Sequence, residues 1–309
     1  QTNNDFAQKA AENDWLVGST SRYITQQHTI NHTKRFNGRA TVEPFRGVRL
    51  ELTGDYNYAE NMTENFMWDS TNTYNHLNTL RSGNVSMSFN SIRTAFIFDD
   101  KDGNSALFDR LLDIRRESSR LLADKNLNSS GENNGYADGY NGIQQDVLIS
   151  SFITAYSGKS LTTKRANPFT ALPNLNWRLT VDALNRVELF KNIFKSIIFS
   201  HGYNSTLNVA SFTTNLESTE DALGNLSARD QANNFIPNKQ ILTVSITEQF
   251  SPLFKVDATW QNSLITKFEY KTNRNISLSL TNNQITEVKG TEITIGTGYR
   301  FTKVKLPFK

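Results

Sequence analysis

The chain has 309 residues, of which 37% are hydrophobic, and 33 Lys and Arg residues stand against 30 Asp and Glu residues. Its 36 Asn and 32 Thr residues are poor helix formers, so the composition disfavours a mostly helical protein. The net charge of +3 includes no basic stripe, which indicates no nucleic-acid partner. Because the chain contains no Cys, disulfides, thiolate metal sites and cysteine nucleophiles are excluded.

The longest uninterrupted apolar segment is Ala95–Phe98, far below the roughly 18 residues that a spanning helix needs. A helical membrane protein is therefore excluded. The chain starts at Gln1 without an initiator Met or a charged-then-apolar leader. We expect it to be a piece of a longer protein.

Residues 1–103 are predicted to form strands. From Val48 to Tyr58, apolar side chains alternate with polar ones, as they must in a strand with one apolar and one polar face. The shorter run from Val85 to Phe89 shows the same alternation.

The period changes in residues 104–160. Apolar residues recur with helical spacing from Leu107 to Leu122, behind Ser105 as a suitable N-cap. An Asn-, Gly- and Ser-rich segment, residues 126–141, is predicted to be a mobile loop, and a second short helix is predicted near Gln144–Tyr156. The whole segment is predicted to be an insert of helices and loops between strands.

Residues 161–309 are predicted to return to strands, with a long polar loop near residues 215–238. Three short segments contain the residues that tight turns favour and are predicted as turns: Ser251–Pro252, Thr272–Arg274 and Lys289–Gly290. In all, roughly ten to twelve strands are predicted.

The strongest alternation runs from Phe254 to Tyr270. Seven of its nine even positions are apolar, and Ile265 is the single apolar residue among the odd positions. The pattern predicts one strand of 17 residues, longer than the 3–10 residues usual in soluble proteins. At about 3.3 Å per residue and a tilt near 45°, it would rise about 37 Å along the membrane normal, close to the full bilayer thickness of about 40 Å.

The alternating polarity of the side chains and the length of the predicted strands together favour an all-β fold. The prediction is an antiparallel transmembrane β-barrel segment, a meander of long strands with a small helical extramembrane insert. Barrel strands are then expected in residues 1–103 and 161–309. A soluble β-sandwich with a charged outer surface is the alternative, because it also buries one sheet face.

The barrel hypothesis assigns each alternating row of side chains either to the lipid side or to the lumen side. The rows predicted to face lipid contain Trp177, Leu179, Val256, Trp260, Leu264, Phe268, Tyr270, Leu278, Ile293, Ile295, Tyr299 and Phe301. The rows predicted to face a water-filled lumen contain Arg178, Asp182, Lys255, Asp257, Lys267, Glu269, Glu292 and Arg300.

Motifs for catalysis or metal binding are weak. His28 and His32 are four residues apart but lie in strand-like sequence without a nearby carboxylate, and Asp99–Asn104 fails the calcium-loop pattern. The sequence contains no phosphate-binding, dinucleotide-binding, nucleophile-elbow or zinc signature. We expect no enzyme, no cofactor and no metal.

Several long sequence segments resemble the C-terminal part of the SprA/Sov proteins of Bacteroidota. The resemblance is strongest from Asn167 to Phe308 and is carried by Asn167–Phe169, Pro173–Thr180, Ile193–Ser196, Ser200–Tyr203, Ser245–Leu253, Lys267–Tyr270 and Thr294–Phe301. It is fainter, though colinear, through Glu43–Arg46 and the helical insert.

This resemblance implies the outer-membrane translocon of the type 9 secretion system, a very large barrel in the bacterial outer membrane that is also needed for gliding motility. Its partners would be a PorV-type outer-membrane barrel, a periplasmic plug protein, folded cargo and the lipid bilayer. A fragment of a porin or of a TonB-dependent receptor is the membrane alternative, and a soluble β-sandwich adhesin is the alternative from another class.

Overall fold

The computed structural model describes residues 26–68, 74–162 and 167–301, together with residues 9, 10, 13 and 15. Parts of the predicted strand ranges, including residues 1–8, 16–25 and 302–309, lie outside the described residues. The strands are β1 (Gln26–Phe45), β2 (Val48–Trp68), β3 (Tyr74–Ser88), β4 (Glu132–Asn133), β5 (Tyr136–Ala137), β6 (Asn176–Val181), β7 (Phe194–Thr214), β8 (Lys239–Ile241), β9 (Thr243–Trp260), β10 (Leu264–Ser279) and β11 (Gln284–Tyr299). The helices are α1 (Ala106–Ala123), α2 (Gln145–Ser157) and the short α3 (Glu188–Lys191).

The chain is mostly an antiparallel β-sheet, as predicted. Nine strands form one sheet in the order β1-β2-β3-β7-β9-β10-β11, with β6 between β2 and β7 and with β8 beside β7. The long strands contain 15 to 21 residues. No helix in the described part is long and apolar enough to cross a membrane.

β3 and β6 both lie between β2 and β7, one after the other along the same strand position, called a slot below. Ser88, the last residue of β3, pairs with Thr206 of β7, and Trp177 of β6 pairs with Tyr203 three positions along β7. Between them, the Phe89 amide donates to Ser205 O at 2.8 Å, and the Asn176 side chain bonds Asn204. A single strand is therefore interrupted after Phe89 and resumed at Asn176, and residues 90–175, called the insert below, leave the sheet in between.

The insert packs on one face of the sheet. Its helices bury apolar side chains against the last residues of β3, the C-terminal halves of β7 and β10 and the N-terminal half of β9. These parts form what is called the upper half of the sheet below, and hydrophobic burial there stabilises the fold. This buried core contains Val85, Met87, Phe89, Leu107, Leu111, Ile114, Leu148, Ile149, Phe152, Ile153, Ala155, Tyr156, Leu207, Val209, Phe212, Ile241, Val244, Ile246, Ile276 and Leu278.

Local signals set the helix ends. Ser105 caps α1 by accepting from the Phe108 amide at 3.4 Å, as predicted, and Gln144 caps α2 by accepting from the Asp146 and Val147 amides. α2 ends at Gly158, whose φ of 64° suits a residue without a β-carbon. α2 is buried on all sides, whereas α1 buries only one stripe, which is why α1 has the clearer periodicity.

The predicted turns in the C-terminal half are wrong. Phe254–Tyr270 is not one strand, because β9 ends at Trp260 and β10 begins at Leu264. The predicted turn Thr272–Arg274 lies inside β10, and Lys289–Gly290 lies inside β11.

Parity explains the hidden turn. Antiparallel partners share a face, and the β9–β10 register pairs Thr259 with Ile265 and Ala258 with Thr266. Even-numbered residues of β9 therefore pair with even-numbered residues of β10. The alternation continues without a break across the three-residue turn Gln261–Ser263, where the chain reverses direction. The period alone cannot reveal such a turn.

The residues that predicted the other turns have structural roles inside the strands. Asn273 and Gly290 are opposite each other on β10 and β11, and a β-carbon on Gly290 would overlap the Asn273 side chain. Pro252 lies at a bulge in β9, where the register with both neighbouring strands shifts. A bulge tolerates the missing proline N–H donor.

The segment predicted as a mobile loop, residues 126–141, is bonded to the 215–238 connection. Asp138 forms a 2.6 Å ion pair with Arg229 of the 215–238 connection, and Arg229 also lies 4.2 Å above the Phe235 ring. The 215–238 connection itself contains two similar loops. In each, the carboxylate of Asp221 or Asp230 accepts a hydrogen bond from the backbone amide four residues later. These contacts join the two polar segments to each other.

Candidate functional surface

The strand register builds one row of apolar residues across six strands. Each residue pairs with the next across the ladder, in the order Val48, Val181, Phe199, Val256, Phe268 and Ile295. This row lies on the face that carries the insert, called the insert face below. In the described part of the chain none of the six belongs to the buried core, and Ile295 is 77% exposed.

The adjacent row on the opposite face is polar throughout. One residue away on each strand, the register aligns Arg49, Thr180, Ser200, Lys255, Glu269 and Thr294. Successive residues of a strand point to opposite faces, so the two rows lie back to back. We call this opposite side the charged face.

Around the apolar row, the lower half of the insert face is apolar as well. This apolar band consists of Val48, Leu50, Leu52, Trp177, Leu179, Val181, Phe199, Phe254, Val256, Trp260, Leu264, Phe268, Tyr270, Ile293, Ile295 and Tyr299. Aromatic contacts tie its strands together: the Phe254 and Phe268 rings stack with centroids 5.1 Å apart. The Phe194 and Trp260 rings are 4.5 Å apart at its lower end.

The structure brings together most of the residues predicted to face lipid. Ten of the twelve lie in the apolar band. Leu278 is the exception on the same face, because it is 1% exposed and belongs to the core beneath the helices; its assignment to lipid is wrong. Phe301 follows the end of β11 and is 74% exposed.

Most residues predicted to face a lumen lie on the charged face and pair there. Lys255 bonds Asp257 at 2.6 Å, Lys267 bonds Glu269 at 2.8 Å, and Lys271 links Glu269 to Glu292. These pairs are partly exposed, so each stabilises the sheet only slightly.

Of the remaining lumen candidates, Arg178 lies within β6 on the charged face, whereas Asp182 and Arg300 lie just beyond strand ends. Arg178 pairs in register with Glu51 of β2. Asp182 follows β6, and its amide donates to Gly47 O at 2.8 Å, in the turn between β1 and β2. Arg300 follows β11, where its amide donates to Ser263 O.

Sequence reasoning missed a buried polar cluster between the insert and the apolar band. Glu248 accepts from Ser91 Oγ at 2.6 Å and from the Tyr203 hydroxyl at 2.8 Å. Arg274 lies 3.7 Å from Glu248 and donates to Glu287 at 2.7 Å. The available signal was a pair of charges, Glu248 and Arg274, at positions where the alternation expects apolar residues.

The same cluster attaches the first turn of the insert. Arg274 Nη1 donates to Thr94 O at 2.9 Å, and Thr94 Oγ1 donates to Tyr156 O at 2.8 Å. The guanidinium lies 5.4 Å from the Tyr156 ring centre. Burial raises the pKa of the Tyr156 phenol to about 12, so this hydroxyl stays neutral at ordinary pH.

The described residues do not assemble a metal site. They contain no group of three or more His, Asp and Glu side chains placed as ligands. His28 instead bonds Glu64 across β1 and β2 at 2.9 Å, and the His32 ring packs edge-on to Tyr58.

A cavity of about 370 Å³ lies between α1, α2 and the 215–238 connection. Apolar side chains such as Ile149 and Phe169 line it, together with Asp146. Burial raises the pKa of the Asp146 carboxyl. The Asp146 backbone amide is already bonded to the cap Gln144, and its position in the first turn of α2 suits an acidic side chain.

Comparison with models of protein families finds no match to the chain. Comparison with curated proteins also finds none. The two faces of the sheet therefore carry the chemistry of the chain: an apolar band that suits a hydrocarbon environment, and a charged face that suits water.

Proposed function

We propose that the chain forms part of the wall of a large outer-membrane β-barrel pore, which translocates folded proteins in type 9 secretion and gliding motility. One observation carries the proposal: the apolar row Val48 to Ile295 lies back to back with the polar row Arg49 to Thr294 across the same six strands. A barrel wall needs lipid on one side and water on the other.

Strand length supports a membrane wall. A transmembrane strand needs about 9–11 residues, whereas β7 has 21 and β9 has 18. The lower part of each strand suffices to cross the hydrocarbon. The excess length rises out of the bilayer, and this is where the insert packs.

The connections suggest an orientation. At the lower end, Arg46–Gly47 joins β1 to β2 and Gln261–Ser263 joins β9 to β10, both of them short, and residues 182–193 join β6 to β7. The long 215–238 connection and the insert lie towards the opposite end. Outer-membrane barrels have short periplasmic turns and longer extracellular loops, so the insert belongs on the extracellular side.

The sheet edges favour a barrel larger than this chain. Within the described residues, β1 pairs only with β2 and β11 pairs only with β10. An unpaired edge is costly in lipid, so each edge needs a further strand. The PorV-type barrel, the periplasmic plug and the folded cargo enter this proposal as partners through the resemblance to the SprA/Sov proteins.

The mechanism is passive. Paired charges such as Lys267 and Glu269 line the conduit with side chains that hold water and bind no particular sequence. The inserts and partners would gate the pore. The wall contributes no chemical step to transport.

A fragment of a porin or of a TonB-dependent receptor is the second candidate, because its barrel wall also has one lipid-facing and one water-facing side. A soluble β-sandwich adhesin would cover the apolar band with a second sheet about 10 Å away. The described residues place helices over the upper half of this face and no such sheet over the band. This observation favours the membrane proposals over the sandwich.

Single cysteines test the wall directly, since the chain contains no Cys. Thr294→Cys and Ile295→Cys are a matched pair of neighbours on opposite faces of β11. In the outer membrane of the producing bacterium, we expect a water-soluble maleimide to label Thr294→Cys and to spare Ile295→Cys. Equal labelling of both would contradict the wall and favour the soluble adhesin.

Translocation has its own test in the same cells. A bulky maleimide attached at Lys267→Cys should reduce the release of cargo that carries a C-terminal secretion signal. The same reagent applied to Phe268→Cys should leave release unchanged. Normal release with a fully labelled Lys267→Cys would argue against a conduit on the charged face.

A further inference from the structure

The connection that leaves the sheet for the insert crosses the top of the apolar band. The Phe96 ring lies 5.3 Å from the Phe250 ring of β9, and the Phe98 ring lies 5.3 Å from Lys289 Nζ of β11. Phe96 and Phe98 also line a small cavity with Tyr270, a residue of the band. This segment therefore runs across β9, β10 and β11 along the upper border of the band.

Its side chains are exposed to an unusual extent. Phe96 is 53% exposed, Ile97 is 36% exposed and Phe98 is 68% exposed. These three residues belong to the longest uninterrupted apolar segment of the chain. Isolated exposed apolar residues are ordinary, but a contiguous apolar patch marks a contact surface.

The connection that returns from the insert borders the band on its other side. Asn174 donates from its amide to Ser88 O at 2.8 Å, which fixes the segment against the sheet. Leu175 is 54% exposed and approaches Gly54 of β2, two residues along the strand from Leu52 of the band. Both connections of the insert therefore present apolar side chains at the same border.

We propose that Phe96, Ile97, Phe98 and Leu175, called the apolar collar below, lie in the interfacial region of the lipid bilayer and hold the insert at the membrane surface. This inference rests on the proposed membrane wall and adds a lipid contact to the insert. The collar continues the apolar band on the same face. A bilayer that covers the band reaches the collar first as it continues upward.

The chemistry of the collar fits a bilayer interface. Aromatic side chains favour this zone because their rings tolerate both acyl chains and headgroups. Lys289 lies over the Phe98 ring and forms a 3.0 Å ion pair with Glu287, so its methylene stem lies beside the collar while its charge is held at the polar border. The charged Asp99–Asp102 segment follows directly and marks where the chain turns from the membrane to water.

Depth measurements with single labelled cysteines test the collar. Phe98→Cys and Leu175→Cys report on the collar, and Ile295→Cys reports on the band. Leu223→Cys is the matched control, because Leu223 is an apolar residue that is 77% exposed in the 215–238 connection. Each variant is made in the complete barrel that supplies the neighbours of β1 and β11. It carries an environment-sensitive fluorophore in phosphatidylcholine vesicles that contain nitroxide lipids, with the nitroxide either near the headgroup or deep in the acyl chain.

The headgroup-near nitroxide should quench both collar labels several-fold more than the Leu223 label. The deep nitroxide should quench the Ile295 label most. Collar labels that are quenched no more than the Leu223 label, with Ile295 still quenched, would overturn the collar and leave the wall intact. An unquenched Ile295 label would overturn the wall, and the collar with it. Collar labels shielded from both lipid nitroxide and aqueous iodide would indicate a protein partner there, which also overturns the proposal.

Discussion

Arg274 of β10 and Glu248 of β9 face each other beneath the insert, with 3.7 Å between Nη1 and Oε2 and side chains only 4% and 2% exposed. Glu248 also accepts from Ser91 Oγ, and Arg274 also donates to Thr94 O. Ser91 and Thr94 belong to the first residues of the insert. This one buried ion pair therefore couples the sheet to the base of the insert.

Removal of the cation should loosen the insert. Arg274→Ala leaves Glu248 buried without its positive partner, and breaking a buried pair in this way costs about 3–5 kcal/mol. We expect faster amide hydrogen exchange in α2 and a lower denaturant midpoint for unfolding from vesicles.

Lys271→Ala is the control for this variant. Lys271 lies on the same strand, and its pairs with Glu269 and Glu292 are partly exposed, so its loss should cost no more than about 1 kcal/mol. An Arg274→Ala variant that is no less stable than Lys271→Ala would show that the buried pair does not anchor the insert.

Two glycines should respond oppositely to a methyl group. A β-carbon at Gly83 of β3 would overlap the Ala59 carbonyl oxygen and lie 2.8 Å from the Phe212 ring. Gly83→Ala should therefore lower the free energy of unfolding by about 1–3 kcal/mol through overpacking. A β-carbon at Gly298 of β11 meets no atom within 4 Å, and Gly298→Ala should be neutral or stabilise by about 0.4–1 kcal/mol.

Denaturant midpoints of the two glycine variants, measured side by side in vesicles, check this prediction. A Gly83→Ala variant that loses no stability would mean that β3 lies farther from Ala59 and Phe212 than the structure places it. A stabilised Gly83→Ala would contradict the packing of Phe212 against β3.

The polarity of the two faces could be predicted from the sequence, because alternation depends on neighbouring residues alone. The apolar positions Val256, Phe268 and Ile295 do share one face. The reversal at Gln261–Ser263 could not be predicted this way, because a three-residue turn keeps the parity of the pattern. Strand pairing, rather than periodicity, decides where such a strand ends.

Relationships between distant segments were also beyond the sequence. The fusion of β3 and β6 into one slot depends on a common partner, β7, and no local pattern near Ser88 or Asn176 indicates it. The alternation predicts that Leu278 faces lipid because its side chain lies on the apolar face, but the insert covers that part of the face. Only the position of the helices distinguishes Leu278 from Phe268.

The Asp221 loop should weaken at low pH. The backbone and side-chain amides of Asn225, followed by the Leu223 amide, hold the pKa of the Asp221 carboxyl at about 2, below the unfolded value of about 3.9. A depressed pKa in the folded state means that the stabilisation is fully present above about pH 4 and is lost as the pH falls through about 2.

Hydrogen exchange of the Leu223 and Asn225 amides, corrected for the intrinsic pH dependence, measures this effect. Protection should fall between about pH 4 and pH 2 in the native chain. In Asp221→Asn, which cannot titrate, protection should stay constant over the same interval. Protection that falls equally in both proteins would assign the effect to another group.

The shared slot of β3 and β6 makes the insert removable in principle. Ser88 pairs with Thr206 and Trp177 pairs with Tyr203, so deletion of residues 90–175 joins Phe89 to Asn176 with every ladder position filled. The fused strand keeps Trp177 on the insert face. We expect this variant to form the sheet in detergent, which then covers Val244, Ile246 and Leu278 in place of the insert.

Deletion of residues 90–174 is the matched control. It leaves one extra residue, Leu175, between Phe89 and Asn176. A shift of one residue turns every following side chain to the other face, so Trp177 and Leu179 would point to the charged face while Arg178 pointed into the apolar band. The measurements are the β-sheet circular dichroism in detergent and the quenching of Trp fluorescence by iodide. The first deletion should keep the sheet signal and the control should lose it or expose Trp177, whereas equal behaviour of the two would mean that β3 and β6 are not one strand.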